Sequence, residues 1–138
     1  LYASTNAAGA IAETFGRFPE WTADRFVHQN GSPFALQAYR VDDARVTSLD
    51  DARTLVRENL RPSRVVTRDR KVTQAWSLRI FERHDADGIA WWSYYNPDWL
   101  SLGLWNIRDL KLLGDPETLT VVDARVREAS RVLRRIIR

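Results

Sequence analysis

Two stretches near the middle of the chain show the strand-like pattern of hydrophobic residues. Residues 89–92 form a short apolar run of strand-forming types, and residues 99–105 place leucine at every second position. Pro97 lies between them and marks a connecting loop, because proline lacks the N–H that a central strand uses. The two strands hold four of the six tryptophans. We therefore expect them to lie in the middle of a sheet, with most of these aromatic side chains in the core.

A second pattern, with apolar residues three and four positions apart, predicts four helices. In the first helix, Glu13 falls on the side opposite the apolar stripe, so its carboxylate can face solvent or a cleft. One of residues 4–6 can cap the start of that helix, and Gly16 can close its end. The predicted helices cover Ala7 to Phe15, about Ala52 to Leu60, Lys71 to Arg83, and a final stretch that follows Asp123 and includes Ile136.

Shorter segments predict the remaining strands and the fold class. An apolar run at residues 110–113 ends at a turn that Gly114-Asp115-Pro116 signals. Short strands mixed with segregated helices fit an α+β fold, with a small mixed or antiparallel sheet and flanking helices, in one domain over residues 1–138. The other predicted strands are Leu1 to Ser4, Phe34 to Val41, Arg45 to Leu49 and, at an edge, Leu119 to Val122.

Composition excludes several classes of function. The chain has no cysteine, so disulfide scaffolds and thiolate chemistry are ruled out. His28 and His84 are far apart in sequence, and we expect no metal centre. No apolar run approaches the roughly 20 residues that span a bilayer, so we expect no membrane partner, and the lack of cysteine fits a cytoplasmic protein. The net charge of +3 permits nucleic acid, an acidic protein or a phosphate-bearing ligand, and selects none of them.

A small hydroxyl residue stands where the first apolar strand opens into a loop. Ser93 follows the strand directly, and binding residues are frequent at such strand ends. Its neighbours do not form the G-x-S-x-G motif of a hydrolase nucleophile, and no glycine-rich nucleotide motif occurs in the sequence. On spacing alone, Glu13 would be a solvated surface glutamate. The residues by themselves thus indicate a globular α+β domain without a defined chemistry.

Several short motifs, taken together and in order, resemble the RES domain family. Leu1-Tyr2-Ala3-Ser4 ahead of Ala10-Ile11-Ala12-Glu13 looks like that family's "LY" strand followed by a helix bearing a glutamate. Residues 87–93 are similar to its later strand, which ends in a serine, and Leu102-Gly103-Leu104-Trp105 resembles its closing apolar strand. Thr73-Gln74-Ala75-Trp76 stands where the family carries a "T-x-x-(W/L)-A" helix.

The resemblance implies a fold like that of ADP-ribosyltransferases and an activity that consumes NAD as its substrate, without a metal. The reaction would cleave the nicotinamide–ribose bond, by hydrolysis, phosphorolysis or transfer of ADP-ribose. Glu13 and Ser93 would be the catalytic pair, and Tyr2 with Ser93 would bind NAD, Tyr2 at the nicotinamide end. The family's arginine lies upstream of the "LY" strand, so the resemblance also implies an N-terminal segment that this chain lacks.

The same resemblance implies partners. RES domains are toxins of toxin–antitoxin pairs, so we expect a helix-turn-helix antitoxin, with nucleic acid contacted only indirectly through it. Two other interpretations stay open. The arginine-rich last helix also fits a basic module that binds nucleic acid or protein without catalysis. A catalytically inactive relative is the other, because no arginine here can be assigned to the family's position.

Overall fold

A computed structural model describes residues 1–105 and 107–138, and within them the chain forms helices and strands in an α+β order. The described residues also include one 3₁₀ turn, at Ala23–Phe26. The strands are β1 (Tyr2–Ser4), β2 (Glu20–Trp21), β3 (Ala35–Val41), β4 (Val46–Ser48), β5 (Gly88–Trp92), β6 (Leu100–Leu104), β7 (Leu110–Thr118) and β8 (Ile136–Ile137). The helices are α1 (Ala7–Phe15), α2 (Ala52–Arg57), α3 (Pro62–Val65), α4 (Arg70–Glu82) and α5 (Ala124–Val132).

The main sheet has four strands in the order β1-β6-β5-β4. Strand β6 runs antiparallel to both β1 and β5, while β4 and β5 are parallel, so the sheet is mixed. The two apolar strands are its central pair, which confirms the expectation from their alternation. Two further two-stranded sheets, β2 with β8 and β3 with β7, complete the strand pairing of the described residues.

Two hydrophobic clusters hold the helices in place. One joins α1 and α5 to the segment after β2, and its most buried side chains include Ile11, Trp21 and Val126. The other packs α2, α3 and α4 against β5, with Trp76 and Ile80 among its buried members. Burying such side chains stabilises the fold by roughly 1.5–3 kcal/mol each. The clusters fix α1 and α4 at separate places on the sheet.

The helix starts follow the capping residues that the sequence offers. The carboxylate or amide oxygen of the residue before each of four helices accepts a backbone N–H of the first turn. Pro62 is the first residue of α3, a position where the backbone N–H that proline lacks makes no hydrogen bond within the helix. The four capping residues are Asn6, Asp51, Asp69 and Asp123.

Gly16 ends α1 as expected, but glycine is required there by the packing of a neighbouring side chain and not by its backbone conformation. Its φ of −60° is right-handed, so no left-handed backbone conformation calls for glycine here. A Cβ at this position would instead lie 2.6 Å from Cε1 of Tyr95, because the tyrosine ring packs directly on the backbone. Gly16 is therefore a site of close approach between α1 and the loop after β5.

Three sequence-based predictions near the C-terminus are wrong in part. The turn signal at residues 114–116 lies inside one long strand, β7, where the pairing with β3 shifts register and Gly114 has a φ of +70°. Leu119 to Val122 is not a strand; Leu119 is buried in the first cluster instead. The last helix ends at Val132 and does not include Ile136. Ile136 pairs instead with Glu20 in parallel strands, and the residues around Ile136 show no strand pattern that would have predicted this pairing.

Within the described residues, no helix combines the length and the apolar character that crossing a bilayer requires.

Candidate functional site

One face of the main sheet carries the residues that the sequence singled out. The register places Tyr2 and Ile89 beside Gly103, and Trp91 beside Ser101. Residues paired across strands point to the same side of a sheet, so these five share one face. Helix α1 covers one part of this face and helix α4 another, which leaves a cleft between the two helices.

The cleft has a volume of about 550 Å³, within the range of small-molecule sites. Its floor is the shared sheet face. One wall comes from α1 and β1 and includes Glu13 and Tyr2, and the opposite wall comes from α3, α4 and the loop between them. Aromatic side chains dominate the lining, namely Tyr2, Trp76, Trp91, Trp92, Tyr94 and Trp105. The expectation that the central tryptophans are core holds for Trp99, whereas Trp91, Trp92 and Trp105 are half-buried and line the cleft.

Hydroxyl groups hold the carboxylate of Glu13 at the cleft wall. Ser93 Oγ donates a hydrogen bond of 2.6 Å to Glu13 Oε1, and Ser101 Oγ approaches the same oxygen at 3.4 Å. Both contacts engage Oε1, and the Tyr2 phenol also lies within hydrogen-bond reach of this carboxylate. Among the residues that the structure describes, no lysine, arginine or histidine forms an ion pair with Glu13. Its negative charge is thus oriented but not neutralised.

Ser93 lies behind Glu13. Its side chain is buried, with the residue only 2% exposed, and it is not part of the cleft lining. While its hydroxyl donates to Glu13, it accepts the backbone N–H of Tyr95 at 3.1 Å. The backbone N–H of Ser93 donates to the carbonyl of Trp99 at 2.7 Å, which closes the base of the loop. The geometry makes Ser93 a group that positions the carboxylate.

Tyr2 stands at the mouth of the cleft with its ring accessible. The residue is 55% exposed, and its ring centroid lies 5.7 Å from that of Trp91 at an angle of 45°. Loss of hydration raises the pKa of the Tyr2 phenol to about 12; the Ser101 hydroxyl acts against this rise, and the charge of Glu13 adds to it. The phenol is therefore a neutral hydrogen-bond donor at physiological pH.

The structure brings Glu13, Ser93 and Tyr2 together, although 80 residues separate the first two. Sequence reasoning missed Ser101, the second hydroxyl on the carboxylate. The signal was present, since Ser101 stands two residues before Gly103 in an alternating strand and so shares the face of Tyr2. It also missed the wall formed by α3 and α4, because nothing local indicates which face of a helix meets a cleft.

Among the described residues that line the cleft there is no histidine and no C-terminal arginine. Within residues 1–105 and 107–138, no group of three or more His, Cys, Asp or Glu side chains could hold a metal ion. Several C-terminal arginines are engaged inside the fold. Arg125 pairs with Asp123 and Glu117, and Arg135 donates to the carbonyl of Gly16 at 2.7 Å. These contacts reduce the basic surface that α5 and the residues after it offer to nucleic acid.

Comparison with known proteins gives one match. The model of the RES domain family matches residues 1–130 of the 138-residue chain. No curated protein sequence and no solved structure matched the chain.

Proposed function

The chain belongs to the RES domain family, and from that premise we propose that it consumes NAD by cleaving the bond between nicotinamide and ribose. The C1′–N bond breaks, and its electron pair leaves with the nicotinamide, whose ring becomes neutral. The ribose carbon becomes electron-poor and is captured by an acceptor such as water, phosphate or a nucleophilic group of a macromolecule. The observation that carries the proposal is the unneutralised carboxylate of Glu13 on the wall of an aromatic cleft.

The charge of Glu13 suits this reaction because positive charge develops on the ribose only as the bond breaks. A fixed carboxylate near that ribose stabilises the transition state more than the ground state, and such differential binding accelerates a reaction. An arginine paired to the carboxylate would cancel this effect. Glu13 carries no such partner among the described residues, and hydroxyls orient it instead.

The surroundings of Glu13 supply the remaining functions. Tyr2 offers a ring face for stacking on nicotinamide, and its neutral phenol can donate a hydrogen bond near the ribose. Ser93 fixes the rotamer of Glu13, and the backbone N–H of Tyr95 in turn fixes Ser93. A substrate that fills this aromatic cleft would displace water from the reacting centre, which strengthens the electrostatic effect of the carboxylate.

The proposed biological role is that of a toxin that depletes cytoplasmic NAD. Its partner would be a helix-turn-helix antitoxin that blocks the cleft, and contact with nucleic acid would pass through that antitoxin. The support for this role is family membership alone.

The test is NAD consumption by the purified chain, with and without inorganic phosphate, with products separated by chromatography. Free nicotinamide with ADP-ribose indicates hydrolysis, and a phosphorylated ADP-ribose that appears only with phosphate indicates phosphorolysis. A folded Glu13→Gln variant should release nicotinamide about a thousandfold more slowly, while Glu128→Gln, an exposed change on α5, should match the wild type. Undiminished turnover in Glu13→Gln would refute the proposed role of Glu13.

A further inference from the structure

Over the residues that the structure describes, the cleft lining lacks the positive charge that a dinucleotide substrate needs. Among the described residues that line it, Glu13 is the only charged side chain, and it is negative. NAD carries a diphosphate, whose oxygens need cationic hydrogen-bond donors when they leave water. Because the described lining holds no lysine or arginine, a cation that binds this diphosphate would have to lie at the rim of the cleft.

Arg68 stands at that rim, in the loop between α3 and α4. Its neighbour Thr67 lines one side of the cleft, and Tyr94 lines it from the loop after β5. The Arg68 guanidinium lies over the Tyr94 ring, 5.3 Å from the ring centroid, so the cation contacts a residue that lines the cleft. Arg68 forms no ion pair with any carboxylate in the part of the chain that the structure describes.

We propose that Arg68 binds the diphosphate of the substrate at the rim of the cleft, held in place by the ring of Tyr94. The cation–π contact consumes none of the guanidinium N–H groups, so they remain available to contact phosphate oxygens two at a time. Because one contact already restrains the side chain, less conformational entropy is lost on binding. This inference rests on the proposed function for the identity of the substrate.

The two ends of the substrate then match the two walls. The nicotinamide and its ribose meet Glu13 and Tyr2 on the α1 side, and the diphosphate meets Arg68 on the α4 side. The hydroxyl of Thr67 lies on that same wall; it accepts the backbone N–H of Asp69 and can donate its own proton along the path. Arg68 is thus a specificity residue that favours the dinucleotide over phosphate-free analogues.

The experiment compares NAD with nicotinamide riboside, which contains the same scissile bond without phosphate. In Arg68→Ala we expect the KM for NAD to rise about tenfold or more, the size of a lost charge-assisted hydrogen bond. The efficiency toward nicotinamide riboside should stay unchanged. Arg68→Lys should recover part of the NAD affinity, and Arg70→Ala, an exposed change two residues along the chain, should behave as wild type.

A binding measurement separates this inference from the proposed function. ADP-ribose keeps the diphosphate and lacks the scissile bond, and its binding can be followed by the fluorescence of the cleft tryptophans. If the wild type leaves NAD intact but Arg68→Ala binds ADP-ribose about tenfold more weakly, the proposed reaction fails and the role of Arg68 stands. Equal losses toward NAD and nicotinamide riboside, unchanged NAD and ADP-ribose affinity in Arg68→Ala, or no ADP-ribose binding by the wild type would each overturn it.

Discussion

Glu13 and Glu58 are both carboxylates held by the fold, but their charges are treated in opposite ways. Glu58 follows α2, and its side chain is 1% exposed. Arg83 donates to both of its oxygens, at 2.6 and 3.0 Å, and Arg57 adds a contact at 3.4 Å. Hydrogen bonds from Arg83 hold the pKa of Glu58 below its ordinary value. Glu13 has only the hydroxyls of serines on its Oε1.

The difference separates a structural carboxylate from one that can do chemistry. Guanidinium groups balance the charge of Glu58. The resulting ion pair links the end of α2 to the end of α4, and its electric field elsewhere in the molecule is weak. Hydroxyls orient a carboxylate without cancelling its charge, and Glu13 therefore keeps its field for a cation that forms in the cleft. Changes at the two sites should accordingly affect different properties.

The largest effect is expected at Glu13. Glu13→Gln keeps the shape of the side chain and removes the charge, so the rate of NAD cleavage should fall about a thousandfold, as for other lost electrostatic contacts in active sites. The melting temperature should stay near that of the wild type because no ion pair is broken. Nicotinamide release and thermal unfolding check the two halves of this prediction. A large fall in the melting temperature of Glu13→Gln would instead indicate that Glu13 has a structural role, as Glu58 does.

Breaking the Glu58 site should do the reverse. Arg83→Met leaves a buried carboxylate with only the longer contact to Arg57, and the free energy of unfolding should fall by about 3 kcal/mol. Urea denaturation measures this loss, and Arg53→Met, an exposed change on α2, is the control. The activity of the folded fraction should be unchanged. A loss of activity that exceeds the loss of folded protein would contradict the separation of the two sites.

The Glu58 site also predicts how stability depends on pH. Because the pKa of Glu58 is lowered in the folded state, its contribution is fully present above the ordinary pKa of 4.5 and is lost as the pH falls through the lower folded pKa. Denaturation from pH 6 down to pH 3, a span of about three units around the reference pKa, should show this loss in the wild type. The slope should be shallower in Arg83→Met, and equal slopes would argue against the ion pair as its source.

Ser93 should affect the rate rather than the binding of substrate. Ser93→Ala removes the 2.6 Å hydrogen bond that orients Glu13, and kcat should fall roughly tenfold to a hundredfold, as for a hydrogen bond to a charged group. The KM for NAD should stay within about twofold, because this hydroxyl faces the carboxylate. Ser101→Ala, which loses only a 3.4 Å contact, should have a smaller effect. A rise in KM at constant kcat would instead indicate direct contact of Ser93 with substrate.

The smallest effect concerns the ionisation of Tyr2. Loss of hydration raises the pKa of its phenol to about 12, so in an ultraviolet titration Tyr2 should ionise later than an ordinary tyrosine. The unfolded phenol ionises near pH 10; its contribution to stability is therefore complete below that pH and lost as the pH rises through 12. Tyr2→Phe should remove the late component of the titration. A late component that persists in the variant would belong to another tyrosine.

Much of the architecture was predictable because it depends on local patterns. Alternating leucines in β6 and the side-chain caps Asn6, Asp51, Asp69 and Asp123 act within a few residues, so a sequence displays them directly. The failures have long-range causes. Leu119 looks like part of a strand because it is apolar, but it is buried as a member of the hydrophobic cluster that also contains residues of α1 and α5. Strand β8 exists because β2 lies beside it, which no local pattern reports.

The site followed the same rule. Spacing alone left Glu13 on the surface, and only the family resemblance joined it to Ser93. Proximity across 80 residues is a property of the assembled sheet and helix, not of either segment. Ser101 was overlooked because an isolated serine in a strand carries no chemical signal until the register places it beside the carboxylate.

The pairing of β1 with β6 has a consequence for when activity can arise during synthesis. Tyr2 pairs with Gly103, so β1 cannot pair with β6 until about a hundred further residues have been synthesised. Such long-range closure is slow, because loop entropy is lost before the contacts compensate for it. Helix α1 also packs on α5, which is made later still. A nascent chain therefore holds Glu13 apart from its serines, and the proposed NAD-consuming centre would be inert until nearly the whole domain has folded.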